Sequence, residues 1–283
     1  MRAEVFDKRS CTLGEGPLWH PLRKQLFWFD ILGKKLLSQQ DGRPLEWRFR
    51  DHVSAAGWIS EDELLLASET GLSRFNLNSG ERQHLVGMEA DNPKTRSNDG
   101  RADPFGGFWI GTMGFQAEPG AGAIYRFYQG KLTRLFDDIT ISNAICFAPD
   151  GSCAYFTDTV TKLIMKQPLD SEGWPLGASE VFIDLNAGNL NPDGAVVDAE
   201  GRLWNAQWGA SRVACYGPDG AFQRAVEVGA TQASCPAFGG ADLNQLFVTT
   251  AAEGLPADSD PLKGQVFVSK LDITGQPEHQ VKV

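Results

Sequence analysis

The sequence contains few of the nitrogen and sulfur side chains that usually bind transition metals. Its 283 residues include five cysteines and four histidines. The cysteines form no CxxC pair, and the histidines show neither HExxH nor HxH spacing. These absences argue against a disulfide framework, a thiolate zinc site and a zinc centre built from adjacent histidines. We therefore expect most of the cysteines to be small, buried, apolar residues.

Long apolar runs and an excess of positive charge are also absent. No segment approaches the roughly 20 apolar residues that span a membrane, and the first residues lack the apolar core of a signal peptide. Acidic residues outnumber basic ones by 36 to 26, and no stripe of Lys and Arg interrupts this balance. Such a chain repels phosphate backbones and anionic lipids. We expect a cytoplasmic protein that binds neither nucleic acid nor membranes, and nothing in the pattern predicts its oligomeric state.

Strand-like segments recur along the chain. Six short segments are rich in aromatic residues, aliphatic residues and Thr, and are bounded by Gly, Pro or Asp turns: residues 26–29, 64–67, 108–111, 154–157, 203–206 and 246–249. Their first residues are 38 to 49 positions apart, which is close to the length of a four-stranded propeller blade. No long helical period interrupts the series. The sequence therefore predicts an all-β fold, a six-bladed β-propeller with a central metal site, formed by residues 1–283 as one domain.

The two ends of the chain are predicted to complete one blade together. Residues 3–6 and residues 280–283 both have the pattern of short strands, and neither has another partner in the six-repeat count. Strands from both termini in one blade would close the ring of blades.

Polar residues recur at one register of the repeat. A hairpin turn precedes the segments, most clearly at Pro149-Asp150-Gly151. Counting back seven residues from the equivalent turn position of each repeat gives Glu15, Ala55, Asn98, Asn143, Asp193 and Cys235. Because the innermost strand of each blade lines the central channel, residues at one register form a ring around its axis.

Two interpretations of this ring are open. Asn and Asp before a strand often form Asx turns, and Glu15 alone would then be a solvated loop acid. Carboxylates and amides that point into a shared channel are costly to bury, however, and a bound cation would satisfy all of them at once. We favour the metal site, which a shared register supports better than any single residue does.

The donor set limits the metal and its chemistry. Oxygen ligands from Glu15, Asn143 and Asp193 suit one divalent cation such as Ca²⁺, Mg²⁺ or Mn²⁺, while Zn²⁺ or Fe²⁺ are further possibilities. Such a site polarises a carbonyl oxygen and lowers the pKa of bound water. Hydrolysis of an ester, a lactone or a phosphoester is the chemistry that these two effects support.

Four motifs occur in order at the spacing of the blades, from about Leu13 to about Gly254. They are Leu13-Gly14-Glu15-Gly16-Pro17-Leu18-Trp19, Arg96-Ser97-Asn98-Asp99-Gly100-Arg101-Ala102-Asp103-Pro104, Ile141-Ser142-Asn143 and Pro192-Asp193-Gly194. Together they resemble the motifs of the gluconolactonase/regucalcin family, also called the senescence-marker-protein family. The resemblance implies a six-bladed propeller that holds one divalent cation in its channel and hydrolyses aldonolactones to aldonic acids.

The resemblance also implies a role for individual residues at the metal. Glu15, Asn143 and Asp193 match the metal ligands of the family. Asp193 matches, in addition, the catalytic base that takes the proton from the attacking water.

Three further residues match positions that contact substrate. Asn98 corresponds to a residue on substrate or on a metal-bound water, and Arg96 to an arginine that hydrogen-bonds sugar oxygens, although a surface ion pair is the alternative for Arg96. Glu118 matches a glutamate that contacts substrate and lies in loop sequence. Asp99 is either an acceptor behind the site or an Asx-turn residue, and we favour the turn. Trp204 and Trp208 have the spacing of aromatics that pack between blades rather than of sugar-stacking residues.

The sequence is therefore compatible with three functions. The first is metal-dependent hydrolysis of a sugar lactone such as galactono-, arabinono-, xylono- or gluconolactone. The second is a calcium-binding or scaffold propeller without enzymatic activity. The third is a metal-dependent esterase or phosphotriesterase that uses the same site.

Overall fold

A computed structural model describes the whole chain, Met1–Val283, as six four-stranded antiparallel sheets. In chain order the strands are β1 (Glu4–Asp7), β2 (Gly14–His20), β3 (Gln25–Asp30), β4 (Lys35–Gln40), β5 (Arg43–Arg48), β6 (Val53–Trp58), β7 (Glu63–Ser68), β8 (Gly71–Asn76), β9 (Arg82–Gly87), β10 (Thr95–Ala102), β11 (Phe108–Gly114), β12 (Gly122–Tyr128), β13 (Lys131–Ile139), β14 (Ser142–Phe147), β15 (Cys153–Asp158), β16 (Leu163–Pro168), β17 (Glu180–Asp184), β18 (Asn191–Val197), β19 (Leu203–Trp208), β20 (Arg212–Tyr216), β21 (Phe222–Glu227), β22 (Ala233–Gly239), β23 (Gln245–Thr250) and β24 (Val266–Lys270).

The sheets are the six blades of a β-propeller, so the predicted fold class is confirmed. Strands β2–β5 form blade 1, β6–β9 blade 2, β10–β13 blade 3, β14–β17 blade 4 and β18–β21 blade 5, while blade 6 contains β22–β24 and β1. The helical segments are two 3₁₀ turns, Thr159–Thr161 and Asn186–Gly188. No helix in the structure has the length and apolar character needed to cross a membrane.

The core consists of six apolar clusters, one in each interface between neighbouring blades. Alternate side chains of a strand point to opposite faces of its sheet, so both faces of a blade become buried. In β3, Leu26 and Trp28 pack between blades 6 and 1, whereas Phe27 and Phe29 pack between blades 1 and 2. Burial of a side chain of this size stabilises the fold by roughly 1.5–3 kcal/mol. This two-sided burial explains why the second strand of a blade is a nearly continuous run of apolar residues.

The N-terminal strand completes blade 6, as predicted. Strand β1 pairs antiparallel with β24, with Glu4 opposite Val268 and Val5 opposite Phe267. The ring of Phe6 packs edge-on against that of Phe247, with centroids 4.9 Å apart. The first strands of neighbouring blades contact one another in a closed circle. Pairing between the start and the end of the chain therefore holds the propeller shut.

The prediction of a second terminal strand at residues 280–283 was wrong. Residues 274–283, called here the C-terminal segment, form no strand and cross the end of the channel at which the inner strands finish. Val281 packs between blades 2 and 3, and its N–H donates to the carbonyl of Trp58 at 2.9 Å. The outer edge of blade 6 is already occupied by β1, so no edge remains for a second strand. The alternating valines instead give one buried anchor, Val281, and one exposed residue, Val283.

Each inner strand carries a β-bulge close to the predicted ring. The pairing register shifts between Glu15 and Leu18 in blade 1, and equivalent shifts occur in the first strand of the other five blades. A bulge turns side chains out of the regular alternation and bends the strand. The bulges therefore allow ring residues to face the channel end instead of a blade interface.

Candidate active site

A cavity of about 380 Å³ lies at the end of the channel where the inner strands begin. Five residues predicted for the site line it: Glu15, Arg96, Asn98, Asn143 and Asp193. The other lining residues are Leu13, Met113, Phe115, Gln116, Ala117, Ile141, Thr159, Trp208 and Glu253. The fold thus brings together side chains from blades 1, 3, 4, 5 and 6.

Glu15 reaches the cavity floor from β2. The residue after it, Gly16, has a φ of +52°, and a Cβ at that position would lie 2.3 Å from the carbonyl oxygen of Ser54. Only glycine fits this left-handed conformation against the neighbouring strand. The Gly16 N–H donates to Glu15 Oε2 at 2.9 Å, and no side chain donates to the Glu15 carboxylate. Burial and the nearby Asp99 carboxylate raise the pKa of Glu15 to about 8.

Asp193 faces the same floor from the bulge of β18. The amide of Asn205 donates to the carbonyls of Asp193 and Gly194, at 2.9 and 3.2 Å, which holds the bulge in place. A Cβ on Gly194 would lie 2.3 Å from Cys235 Sγ, so glycine is required for the close approach of blade 6. Burial, followed by repulsion from Glu15, raises the pKa of Asp193 well above its usual range. As at Glu15, no side chain donates a hydrogen bond to this carboxylate.

A chain of hydrogen bonds sets the orientation of the two ring amides. Asn98 Nδ2 donates to Asn143 Oδ1 at 3.2 Å and to the carbonyl of Ser142 at 2.8 Å. Asn143 Nδ2 donates to the hydroxyl of Thr159 at 2.9 Å, and that hydroxyl donates to the carbonyl of Pro192 at 2.8 Å. Both amide hydrogens of Asn98 and one of those of Asn143 are therefore used, and each amide oxygen keeps a free lone pair for another partner.

Arg96 is the single cation in the cavity wall, and it is buried. Its Nη1 donates to Asn98 Oδ1 at 2.7 Å and to the carbonyl of Ser97 at 3.0 Å. Its Nε and Nη2 make no hydrogen bond within the protein, so two donors of the guanidinium fork are available to a ligand. Burial lowers the pKa of Arg96, while Glu253, Glu15 and Asp193 act in the opposite direction.

The donor set fits a divalent cation with a preference for oxygen. Two buried carboxylates repel each other at the cavity floor without side-chain donors, and Asn143 adds a neutral amide oxygen. No group of three or more His, Cys, Asp and Glu in the structure could hold a metal, so a cation at this floor would need the amide oxygen as a third ligand. Oxygen donors without imidazole or thiolate suit Ca²⁺, Mg²⁺ or Mn²⁺ better than Zn²⁺.

Glu118 lies beside the cavity but does not line it. Its Oε2 accepts a hydrogen bond from the backbone N–H of Gln116 at 3.0 Å, within the loop after β11. The neighbouring residues Phe115, Gln116 and Ala117 do line the cavity. The structure therefore brings this loop to the site while the Glu118 carboxylate bonds to its own loop.

Asp99 and the two tryptophans have different environments from each other. Asp99 is buried, and its Oδ2 accepts the N–H of Ile145 in blade 4 at 2.7 Å, so it joins two blades and the Asx-turn interpretation was wrong. Burial raises the pKa of Asp99 to about 6. Trp204 is fully buried between blades 5 and 6, as predicted. Trp208 packs against the apolar cluster that contains Leu13, as predicted, and its side chain also lines the cavity.

Three contributors to the site were missed in the sequence: Thr159, Asn205 and Glu253. Thr159 and Asn205 act through hydrogen bonds to backbone or amide groups on other strands, for which no local pattern exists. Glu253 lies in a loop after the last repeated segment, outside the register that identified the ring. The one signal in the sequence was the position of Thr159, two residues after the repeated segment at residues 154–157.

Fold and cavity together define a six-bladed β-propeller with an acidic, amide-bearing site at one end of its channel. The family model described as SMP-30/Gluconolactonase/LRE-like region matches residues 13–252. The chain belongs to this family, and the resemblance found in the four motifs is confirmed.

Individual relatives agree over nearly the full chain. The L-arabinolactonase of Azospirillum brasilense is 38% identical over 281 residues, covering 96% of this chain and 92% of that protein. The pentonolactonase of Haloferax volcanii is 32% identical over 287 residues, covering 97% and 96%. The solved structure of a calcium-binding protein, regucalcin, from Agrobacterium tumefaciens is 41% identical, has a TM-score of 0.97 and covers 99% and 97%. At the level of the family, the predicted enzyme class, a hydrolase of lactone ester bonds, is confirmed.

Proposed function

We propose that this protein hydrolyses a sugar-derived lactone, such as galactono-, arabinono-, xylono- or gluconolactone, to the aldonic acid. The observation that carries the proposal is the joint position of Glu15, Asn143 and Asp193 at the floor of one cavity, beside the hydrogen-bond donors of Arg96. A cavity of about 380 Å³ is within the range of small-molecule sites. Family membership and the names of the relatives support the same reaction.

A divalent cation bound by Glu15, Asn143 and Asp193 is part of this proposal. Such an ion supplies Lewis-acid polarisation of the lactone carbonyl and stabilises the negative charge that develops on its oxygen. Two carboxylates with raised pKa values and no side-chain donors are the groups that benefit most from a cation. The calcium-binding relative from Agrobacterium tumefaciens supports a hard divalent ion, and Ca²⁺, Mg²⁺ and Mn²⁺ are the first candidates.

Arg96 and Asn98 are proposed to orient the sugar. The free Nε and Nη2 of Arg96 form a planar pair of donors that suits two neighbouring oxygens of a lactone. Asn98 has used both amide hydrogens, so its remaining contribution is as an acceptor for a hydroxyl or water hydrogen. We retain Glu118 as a proposed substrate contact, which requires its carboxylate to leave Gln116. The indole of Trp208 offers an apolar face to the sugar ring.

Asp193 is proposed as the base that takes a proton from the attacking water. Its carboxylate lies on the cavity floor without a side-chain donor, so a lone pair is available for the proton. A carboxylate in a buried site binds a proton more strongly than one in water, and it is therefore a better base near neutral pH. The free, buried state of all five cysteines fits a reducing compartment, and we propose the cytoplasm as the location.

A panel of lactones tests the function directly. Proton release is followed for each lactone with the protein as purified, after exhaustive chelation, and after the return of Ca²⁺, Mg²⁺, Mn²⁺ or Zn²⁺. We expect release that disappears with chelator and returns with metal. Release that survives chelation would remove the metal from the proposal. Metal binding without release on any lactone would favour a calcium-binding propeller, and activity confined to simple esters or phosphotriesters would favour the third hypothesis.

A further inference from the structure

Glu253 lies at the mouth of the cavity, in the loop that follows β23. Its side chain is exposed, whereas Glu15 and Asp193 are buried at the floor. The backbone N–H groups of Ala252 and Glu253 both donate to the carbonyl of Thr12, at 3.0 and 2.9 Å. Hydrogen bonds between blade 6 and the segment before blade 1 therefore hold this carboxylate at the edge of the site.

The negative charge of Glu253 acts on the buried guanidinium of Arg96. Among the carboxylates that oppose the effect of burial on the pKa of Arg96, Glu253 has the largest influence, ahead of Glu15 and Asp193. Both residues line the same cavity, which contains no other cation and no carboxylates beyond these three. Arg96 is thus placed between an acidic floor and an acidic mouth.

The formal charges of the residues that line the cavity balance when the proposed cation is bound. The two charges of Glu15 and Asp193 are offset by a divalent ion. Arg96 and Glu253 remain, with one positive and one negative charge. Without Glu253 the occupied cavity would carry a surplus positive charge and would attract anions.

We infer that Glu253 determines the charge selectivity of the site, so that the cavity accepts uncharged lactones and discriminates against lactones that carry phosphate, sulfate or a second carboxylate. This inference rests on the proposed function. Hydrolysis adds water across the ester: the acyl C–O bond breaks, the ring oxygen becomes a hydroxyl group, and the new carboxylic acid loses its proton to solvent. The product therefore carries one negative charge that the substrate lacks, and a cavity without surplus positive charge releases it readily.

The test compares Glu253→Gln with the wild-type holoenzyme on matched pairs of lactones. The pairs are D-glucono-1,5-lactone with its 6-phosphate and D-arabinono-1,4-lactone with its 5-phosphate, and spontaneous hydrolysis is subtracted. We expect the kcat/KM preference for the neutral member to fall by roughly threefold to tenfold in Glu253→Gln, and by more in Glu253→Lys, as for a unit charge at a solvent-exposed cavity wall. The inhibition constant of the aldonate product should fall by a similar factor.

Two further variants separate charge from shape. Glu253→Asp keeps the charge and should keep the wild-type preference. Asp258→Asn removes an exposed carboxylate from the same loop, outside the cavity lining, and should leave both readouts unchanged at 0.15 M salt, where screening acts within about 8 Å.

The possible failures differ from one another. A wild-type protein that hydrolyses the phosphorylated and neutral lactones equally well, or an unchanged preference in both Glu253→Gln and Glu253→Lys, would overturn the inference and leave the proposed function intact. If no lactone of either kind is hydrolysed, the proposed function itself fails, and the inference fails with it.

Discussion

Replacement of Glu15 by Gln should stabilise the metal-free protein at neutral and alkaline pH. The Glu15 carboxylate is buried next to Asp99 and close to Asp193, without a side-chain donor. Its ionised form is therefore disfavoured in the folded protein relative to the unfolded chain. A neutral amide of the same shape removes this penalty and keeps the packing.

The size and the sign of the effect follow from the pKa of Glu15, which burial raises from 4.5 to about 8. Below pH 4.5 the side chain is protonated in both states and contributes no penalty. As the pH rises, the unfolded chain loses the proton first, so stability falls until the folded protein also ionises near pH 8. At 1.36 kcal/mol per pKa unit, the full penalty above that pH is on the order of 5 kcal/mol.

The assay is urea unfolding of chelator-treated protein between pH 5 and pH 9, with wild type and Glu15→Gln measured side by side. The difference between their free energies of unfolding should grow with pH and level off above about pH 8. Glu61→Gln, at an exposed turn, serves as the control and should show no such trend. A difference that is flat over this range, or that favours wild type, would refute the electrostatic reasoning. Added Ca²⁺ should reverse the order, because it binds the ionised wild-type site more strongly.

Three further predictions concern the base and the two ends of the chain. With saturating metal, Asp193→Asn should stay slower than wild type by roughly 10²-fold or more, the usual range for a general base, while Asn143→Ala, which removes a neutral ligand, should regain activity. Glu278→Gln should destabilise the protein by roughly 3–5 kcal/mol in thermal unfolding, because it leaves Arg101 buried without its ion-pair partner. Deletion of residues 1–8 should lower the melting temperature markedly, because β24 loses the strand that covers its edge.

Each of these predictions has a distinct contradicting result. Full rescue of Asp193→Asn by metal would assign proton removal to another group. Gln280→Ala is the control for Glu278→Gln: it removes one exposed hydrogen bond, to the Ile59 carbonyl, and should cost less than about 1 kcal/mol of stability. An equal loss of stability in the two variants would contradict a large contribution from the buried ion pair. An unchanged melting curve after the deletion would contradict the closure of blade 6 by β1.

The propeller could be predicted from the sequence because its interactions are local. Five of the six blades are runs of four strands that are consecutive in the chain, and blade 6 contains three consecutive strands, so the apolar segments repeat with the spacing of the blade. The ring residues share a register within that repeat, and the structure places Glu15, Asn98, Asn143 and Asp193 at one cavity. When each strand pairs with the next one in the chain, the spacing of apolar residues in the sequence indicates where the strands and blades lie.

The remainder of the site depends on contacts between segments that are distant in the chain. Glu253 reaches the mouth through hydrogen bonds to Thr12, and Trp208 lines the cavity although Trp204, four residues earlier and of the same type, is buried between blades. Glu118 bonds within its own loop, which a motif match could not show. Side-chain directions in loops and at strand ends are decided by neighbours from other blades.

The ends of the chain show the same division. Both termini have strand-like sequences, and the alternation of apolar residues alone made them equivalent. Only one free edge exists in blade 6, and β1 occupies it. The C-terminal segment instead crosses the far end of the channel, where Glu278 meets the buried Arg101. Sequence periodicity determined the strands and the register of the ring, whereas the competition for one edge and the pairing of buried charges were decided by the closed tertiary structure.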